Sequence, residues 1–143
     1  MPTTDPIPAT ITIVGWVDPV VDATGFTPDS AYVETCYLPR LGPTSFVAYR
    51  YGAQELRGRN QRVIDLTEMA QNLGLRSGVS RNAPVVLALS HLQAFGLRAC
   101  RENNNYLLRL TAPPLTDRQA ARLPAKARRM HYAVLASRRP NRP

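Results

Sequence analysis

Three helix starts, each closed by a glycine, follow one another between residues 42 and 96, and this punctuation constrains the fold more than any other feature of the chain. The first start is Gly42-Pro43, with proline in the first turn, where its missing N–H costs nothing. Phe46, Tyr49, Ala53 and Leu56 then recur at helical spacing as one apolar stripe, and Gly58 stops the run. Arg62-Val63-Ile64 has the character of a short strand. Asp65-Leu66-Thr67-Glu68 follows with the pattern of a capping box, in which Asp65 accepts from the N–H of Glu68 and the Glu68 side chain reaches back. It opens a short helix that buries Leu66, Met69, Ala70 and Leu73 and stops at Gly74. In the third start, Arg81-Asn82-Ala83-Pro84, Asn82 is the expected cap and Pro84 lies in the first turn. Val85, Ala88, Leu89, Leu92 and Phe95 form the inward stripe of this helix, and Gly96 ends it.

After Gly96, the stretches Leu97 to Glu102 and Tyr106 to Leu110 flank Asn103-Asn104-Asn105. Asparagine tolerates the left-handed backbone of tight turns, so these stretches read as a β-hairpin. The order helix, short strand, short helix, turn, longer helix, hairpin predicts an α+β fold, a winged helix-turn-helix from about Leu38 to Leu110. Its three-helix core is closed by a hairpin wing. Leu66 to Leu75 followed by Val85 to Arg98 resembles helices two and three of winged-helix transcription regulators. Tyr32 to Pro43, together with Pro113-Pro114-Leu115-Thr116 and Arg122-Leu123-Pro124, is also similar to an uncharacterised family of G+C-rich bacteria. That family brings no activity with it. The winged-helix resemblance implies binding of double-stranded DNA and regulation of transcription.

Outside this unit, Ala9 to Val17 alternates as a half-buried strand, with Ile11 and Ile13 on one face. Ser30 to Leu38 fits a short helix or a strand equally well. Beyond Pro113-Pro114, Thr116 and Gln119 form a second capping box. Leu123, Ala127, Met130 and Val134 make one apolar stripe of a helix that runs to about Ser137 and is kinked at Pro124, with Arg122, Lys126, Arg128 and Arg129 opposite. The expected division is an N-terminal extension over 1–37, the winged-helix domain over 38–112, a basic helix over 113–137 and a flexible basic tail over 138–143.

Charge is distributed unevenly. Residues 1–56 carry six acids against two bases, and residues 57–143 carry sixteen bases against four acids, for a net charge of +8. A half this basic points to a polyanionic partner. Met1 to Pro8 lacks the basic and apolar regions of a signal peptide, and no stretch is apolar over the length of a membrane span, so a cytoplasmic protein with no membrane partner is expected. Cys36 and Cys100 lie far apart and are read as buried free thiols.

A DNA-binding winged helix inserts the start of its third helix into the major groove and lays its wing on the backbone or the minor groove. Arg81 and Asn82 then face base edges, since arginine pairs bidentately with guanine and asparagine with adenine. A plain helix cap is the equal alternative for Asn82. Arg76, Ser77 and Ser80 in the turn and Arg98, Arg101 and Arg109 in the hairpin are the expected phosphate contacts. The outward face of the third helix carries Ala83, Val86, Leu87, Ser90 and Ala94, which is poor in hydrogen-bond donors for a groove-reading helix. Val86 and Leu87 therefore form an alternative protein interface, for a partner or a second copy. No P-loop, GxSxG or HExxH pattern is present, and His91 and His131 stand in no metal-ligand spacing. The chain is read as a non-enzyme without cofactor or metal.

Overall fold

The computed structural model describes residues 9–76, 80, 82–101 and 104–138, as an α+β chain with an open four-stranded sheet. Its first strand, β1 (Thr10–Trp16), is rich in β-branched residues and buries Ile11 and Ile13 by strict alternation. β1 pairs antiparallel with β2 (Gln61–Asp65) on one side, Ile11 facing Ile64. On the other side it runs parallel to β4 (Asn105–Arg109), Ile13 facing Tyr106. β3 (Arg98–Cys100) completes the order β2-β1-β4-β3 by hairpin pairing with β4. The strand expected as an N-terminal extension thus occupies an interior position of the sheet.

After β1 comes α1 (Pro19–Thr24), capped by Asp18. Ser30 to Leu38 resolves as helix: a π-helical segment, Val33–Tyr37, leads into α2 (Leu38–Leu41). The wide turn lies immediately before Pro39, whose ring in a regular helix collides with the carbonyl of Thr35.

α3 (Pro43–Glu55) starts at Pro43, as expected. Phe46, Tyr49 and Leu56 are buried and Ala53 is half-buried. Gly52 is buried as well, because the helix lies against the sheet there. A Cβ at this position meets Leu108 Cδ2 at 2.8 Å.

α4 (Leu66–Asn72) grows directly out of β2, with the Asp65 carboxylate accepting from the N–H groups of Thr67 and Glu68 at 2.8 and 3.1 Å. Only the Asp65 half of the expected capping box is seen among the described hydrogen bonds. α5 (Pro84–Ala94) packs on α3, α4 and β3. Its cap is Ala83, which makes no side-chain bond, so the Asn82 cap is corrected. Pro84 explains the shift: a residue before proline is driven to extended backbone, and Ala83 at φ −64, ψ 140 already has cap geometry. α4 and α5 end alike. Gly74 and Gly96 take φ +70 and +76, and the next N–H groups, of Leu75 and Leu97, return to the carbonyls of Ala70 and Leu92.

The C-terminal helix is two helices. α6 (Asp117–Ala120) opens with the Thr116 and Gln119 capping box, as the sequence indicates. Pro124 then breaks the chain rather than kinking it, standing as the cap of α7 (Ala125–Ser137) at φ −56, ψ 155. α7 packs on the π-helical segment, burying Ala127 and His131. The His131 ring is fully buried, with Nδ1 2.7 Å from the Tyr32 hydroxyl, which also accepts from Leu115 N–H at 2.9 Å. Cys36 is buried beneath α7 and donates to Ala127 O at 3.4 Å, and burial pushes its thiol up to about 11. Cys100 is a free thiol too, but it is exposed where the hairpin leaves the sheet, against the expectation of burial. Among the described residues no helix is long and apolar enough to cross a membrane.

Candidate nucleic-acid interface

The expected site residues surround the start of α5 and the hairpin, and the structure separates them into two groups. Arg76 follows the glycine stop of α4, and Ser80 and Asn82 precede α5. Arg101 extends past β3, and all four are exposed. Ser77 and Arg81 lie outside the described residues.

Arg98 and Arg109 belong to the second group, because their guanidinium groups are engaged inside the fold. Arg109 donates from Nη1 to Asp18 at 3.0 Å and from Nε to the carbonyl of Gly96 at 2.9 Å. Its guanidinium also stacks 3.8 Å over the Trp16 ring, and only 14% of the side chain remains exposed. The hydrogen bond from Arg109, supported by the N–H of Val21, holds the Asp18 carboxyl below its ordinary range. Arg98 donates to the Leu89 carbonyl at 2.8 Å and stacks 3.8 Å over Tyr106. Burial lowers its pKa from the ordinary arginine value, as low-dielectric surroundings disfavour the charged form. Arg98 bonds a carbonyl of α5, and Arg109 bonds the glycine that ends it, where the helix dipole favours cations. Both expected phosphate contacts are therefore corrected to ties between hairpin and helix. The partners Asp18, Trp16 and Tyr106 come from other strands and loops, so local sequence carried no sign of them.

The outward side of α5 is as donor-poor as its sequence suggests. Leu87 is 43% exposed and Val86 half-buried, while the Ser90 hydroxyl turns back to the Val86 carbonyl at 3.1 Å. Gln93 accepts from Cys100 Sγ at 3.0 Å. His91 is exposed, with Nδ1 3.2 Å from the Ser45 hydroxyl. Ala83, expected on this outward face, is buried, because the extended backbone at the cap turns it under the helix.

Other cations sit on different elements. Arg118, Arg122, Lys126, Arg128 and Arg129 are exposed on α6, the break and the start of α7. The described ion pairs are Arg57 to Asp29, Arg62 to Glu55 and Arg109 to Asp18, so none of these five is neutralised among the described residues. An open groove of about 650 Å³ runs between the loop Thr27 to Asp29 and the end of α3, and it is lined by the Arg57 to Asp29 pair. Among the described residues no group of three or more His, Cys, Asp or Glu side chains is placed to hold a metal ion.

Compared with family models, with curated proteins and with solved structures, the chain gives no match.

Proposed function

We propose that this chain is a DNA-binding protein of the winged-helix type that regulates transcription, docking the start of α5 in the major groove. The observation that carries the reading is the exposed polar set Arg76, Ser80, Asn82 and Arg101 around α5, within the element order α3, β2, α4, α5, hairpin. Arg76 and Arg101 reach phosphates, and Asn82 meets a base edge. Arg98 and Arg109 hold the hairpin against α5 and take no part in binding, which reduces the electrostatic footprint. With Arg76, Arg101 and the neighbouring Arg81 neutralising about three phosphates, log affinity for a duplex falls against log salt with a slope near −3. Substituting Arg76 and Arg101 together with alanine flattens the slope by about two. No duplex binding at low salt, or a slope near zero, refutes the reading.

One observation favours a second reading, a protein interface on α5. Leu87 is exposed beside a serine whose hydroxyl is already occupied, so that face offers apolar contact and little hydrogen bonding. Leu87→Arg separates the two. Loss of an assembly seen by light scattering supports the protein interface, and unchanged or tighter duplex binding supports the groove.

A further inference from the structure

We propose that α6 and the first turns of α7 form a separate surface that binds single-stranded nucleic acid. Arg118, Arg122, Lys126, Arg128 and Arg129 crowd one short stretch, all exposed, and Asp117 is the only acid from residue 103 to residue 143. Helix stability does not account for them. The first turn of α7 contains no acid, and Lys126 stands in it, at the positive end of the helix dipole, where a cation is unfavourable. Within α7, Lys126 and Arg129 stand three residues apart on one helix, where like charges repel, and a polyanion relieves that repulsion.

The choice of an unpaired strand comes from Tyr132. It lies on the outward side of α7, one turn beyond Arg128 and Arg129, and is 46% exposed. Its ring meets the buried His131 ring edge-on, with centroids 4.9 Å apart at 75°, so its position is fixed from below. A fixed, half-open aromatic ring beside cations is the pairing that stacks a splayed base while the phosphates are neutralised. Ala125, Ala133 and Ala136 make up much of the remaining outward side, and they offer too little apolar area to enter a membrane surface. The surface belongs to different packing from the α5 start: α7 rests on the π-helical segment, whereas α5 rests on α3, α4 and β3.

The test measures anisotropy of labelled oligothymidylate, oligouridylate and a duplex of equal length, with the full chain and its variants. Because the three side chains are exposed, K126E/R128E/R129E retains the fold, which circular dichroism verifies. It weakens single-strand binding by about thirtyfold or more, through lost phosphate contacts. Y132L weakens it by about fivefold or more with the salt slope unchanged, and Y132F binds as wild type, since the ring alone stacks. The DNA and RNA arms show which sugar is preferred. Either the triple reversal or Y132L binding within twofold of wild type overturns the proposal. So does equal loss of single-strand binding on substituting Arg76 and Arg101, which assigns the strand to the α5 side. Single-strand binding with no duplex binding refutes the winged-helix reading and supports this one.

Discussion

Protonation of His131 works against the docking of α7, and the structure sets both the sign and the limit of the effect. Leu115 N–H donates to the Tyr32 oxygen, and the Tyr32 hydroxyl shares a 2.7 Å hydrogen bond with His131 Nδ1. The imidazole Nε2 is buried and has no partner among the described residues. Protonating the ring buries a charge, with hydrogen on both nitrogens and no acceptor for Nε2 among the described residues. Burial accordingly lowers the His131 pKa from 6.5, with Asp117 opposing weakly. The unfolded chain binds the proton first, so this contribution to stability is complete above about pH 6.5 and is lost as pH falls. The loss grows by at most about 1.4 kcal/mol per pH unit and levels off below the folded-state pKa. Urea denaturation at pH 8, 6.5, 5.5 and 5 measures it, with His131→Gln as the reference that cannot titrate. Subtracting the variant's profile from that of the wild type isolates the histidine. A flat difference between pH 6.5 and 5 refutes the reasoning. Tyr32→Phe at pH 8 strips partners from both Leu115 N–H and Nδ1, and costs about 2 to 4 kcal/mol.

Three further outcomes follow from the packing. Gly52→Ala forces a methyl against Leu108 and costs about 1 to 3 kcal/mol in thermal or urea unfolding, and pairing it with Leu108→Ala recovers part of that loss relative to the sum of the single changes. Arg109→Ala lowers stability in urea unfolding, because the tie between Asp18, the Gly96 carbonyl and the Trp16 ring is lost, while the salt slope of duplex binding stays at the wild-type value. Asn82→Ala leaves urea stability within about 0.5 kcal/mol of wild type, since Ala83 holds the cap position, so any loss of duplex affinity reports contact with a base.

The features legible in the sequence are those enforced by neighbouring residues. Asp65 caps α4, Gly74 and Gly96 end their helices in the left-handed region, and Thr116 with Gln119 opens α6, because each depends on atoms within a turn of one another. Even here one local rule displaced another: proline at 84 fixed the cap at Ala83 and left Asn82 outside it. Distant contacts left no such trace. An arginine at position 98 or 109 reads as a surface cation until Tyr106, Trp16 and Asp18 are brought to it by the sheet. His131 fits a basic helix equally well inside or out, and its burial is decided by Tyr32, far away in the chain. The outward side of α5 was legible because helical periodicity alone places Leu87 and Ser90.

The interior position of β1 also sets an order of events during synthesis. β1 leaves the ribosome before both of its neighbours in the sheet, and its antiparallel neighbour, β2, follows about fifty residues later. Its parallel neighbour, β4, lies about ninety residues downstream, so at ordinary translation rates the far side of β1 waits about 5 to 20 s for its partner. Until then, the nascent chain displays an unsatisfied apolar ribbon with Ile11 and Ile13 on one face. The arrival of the hairpin covers that side of β1 and completes the sheet.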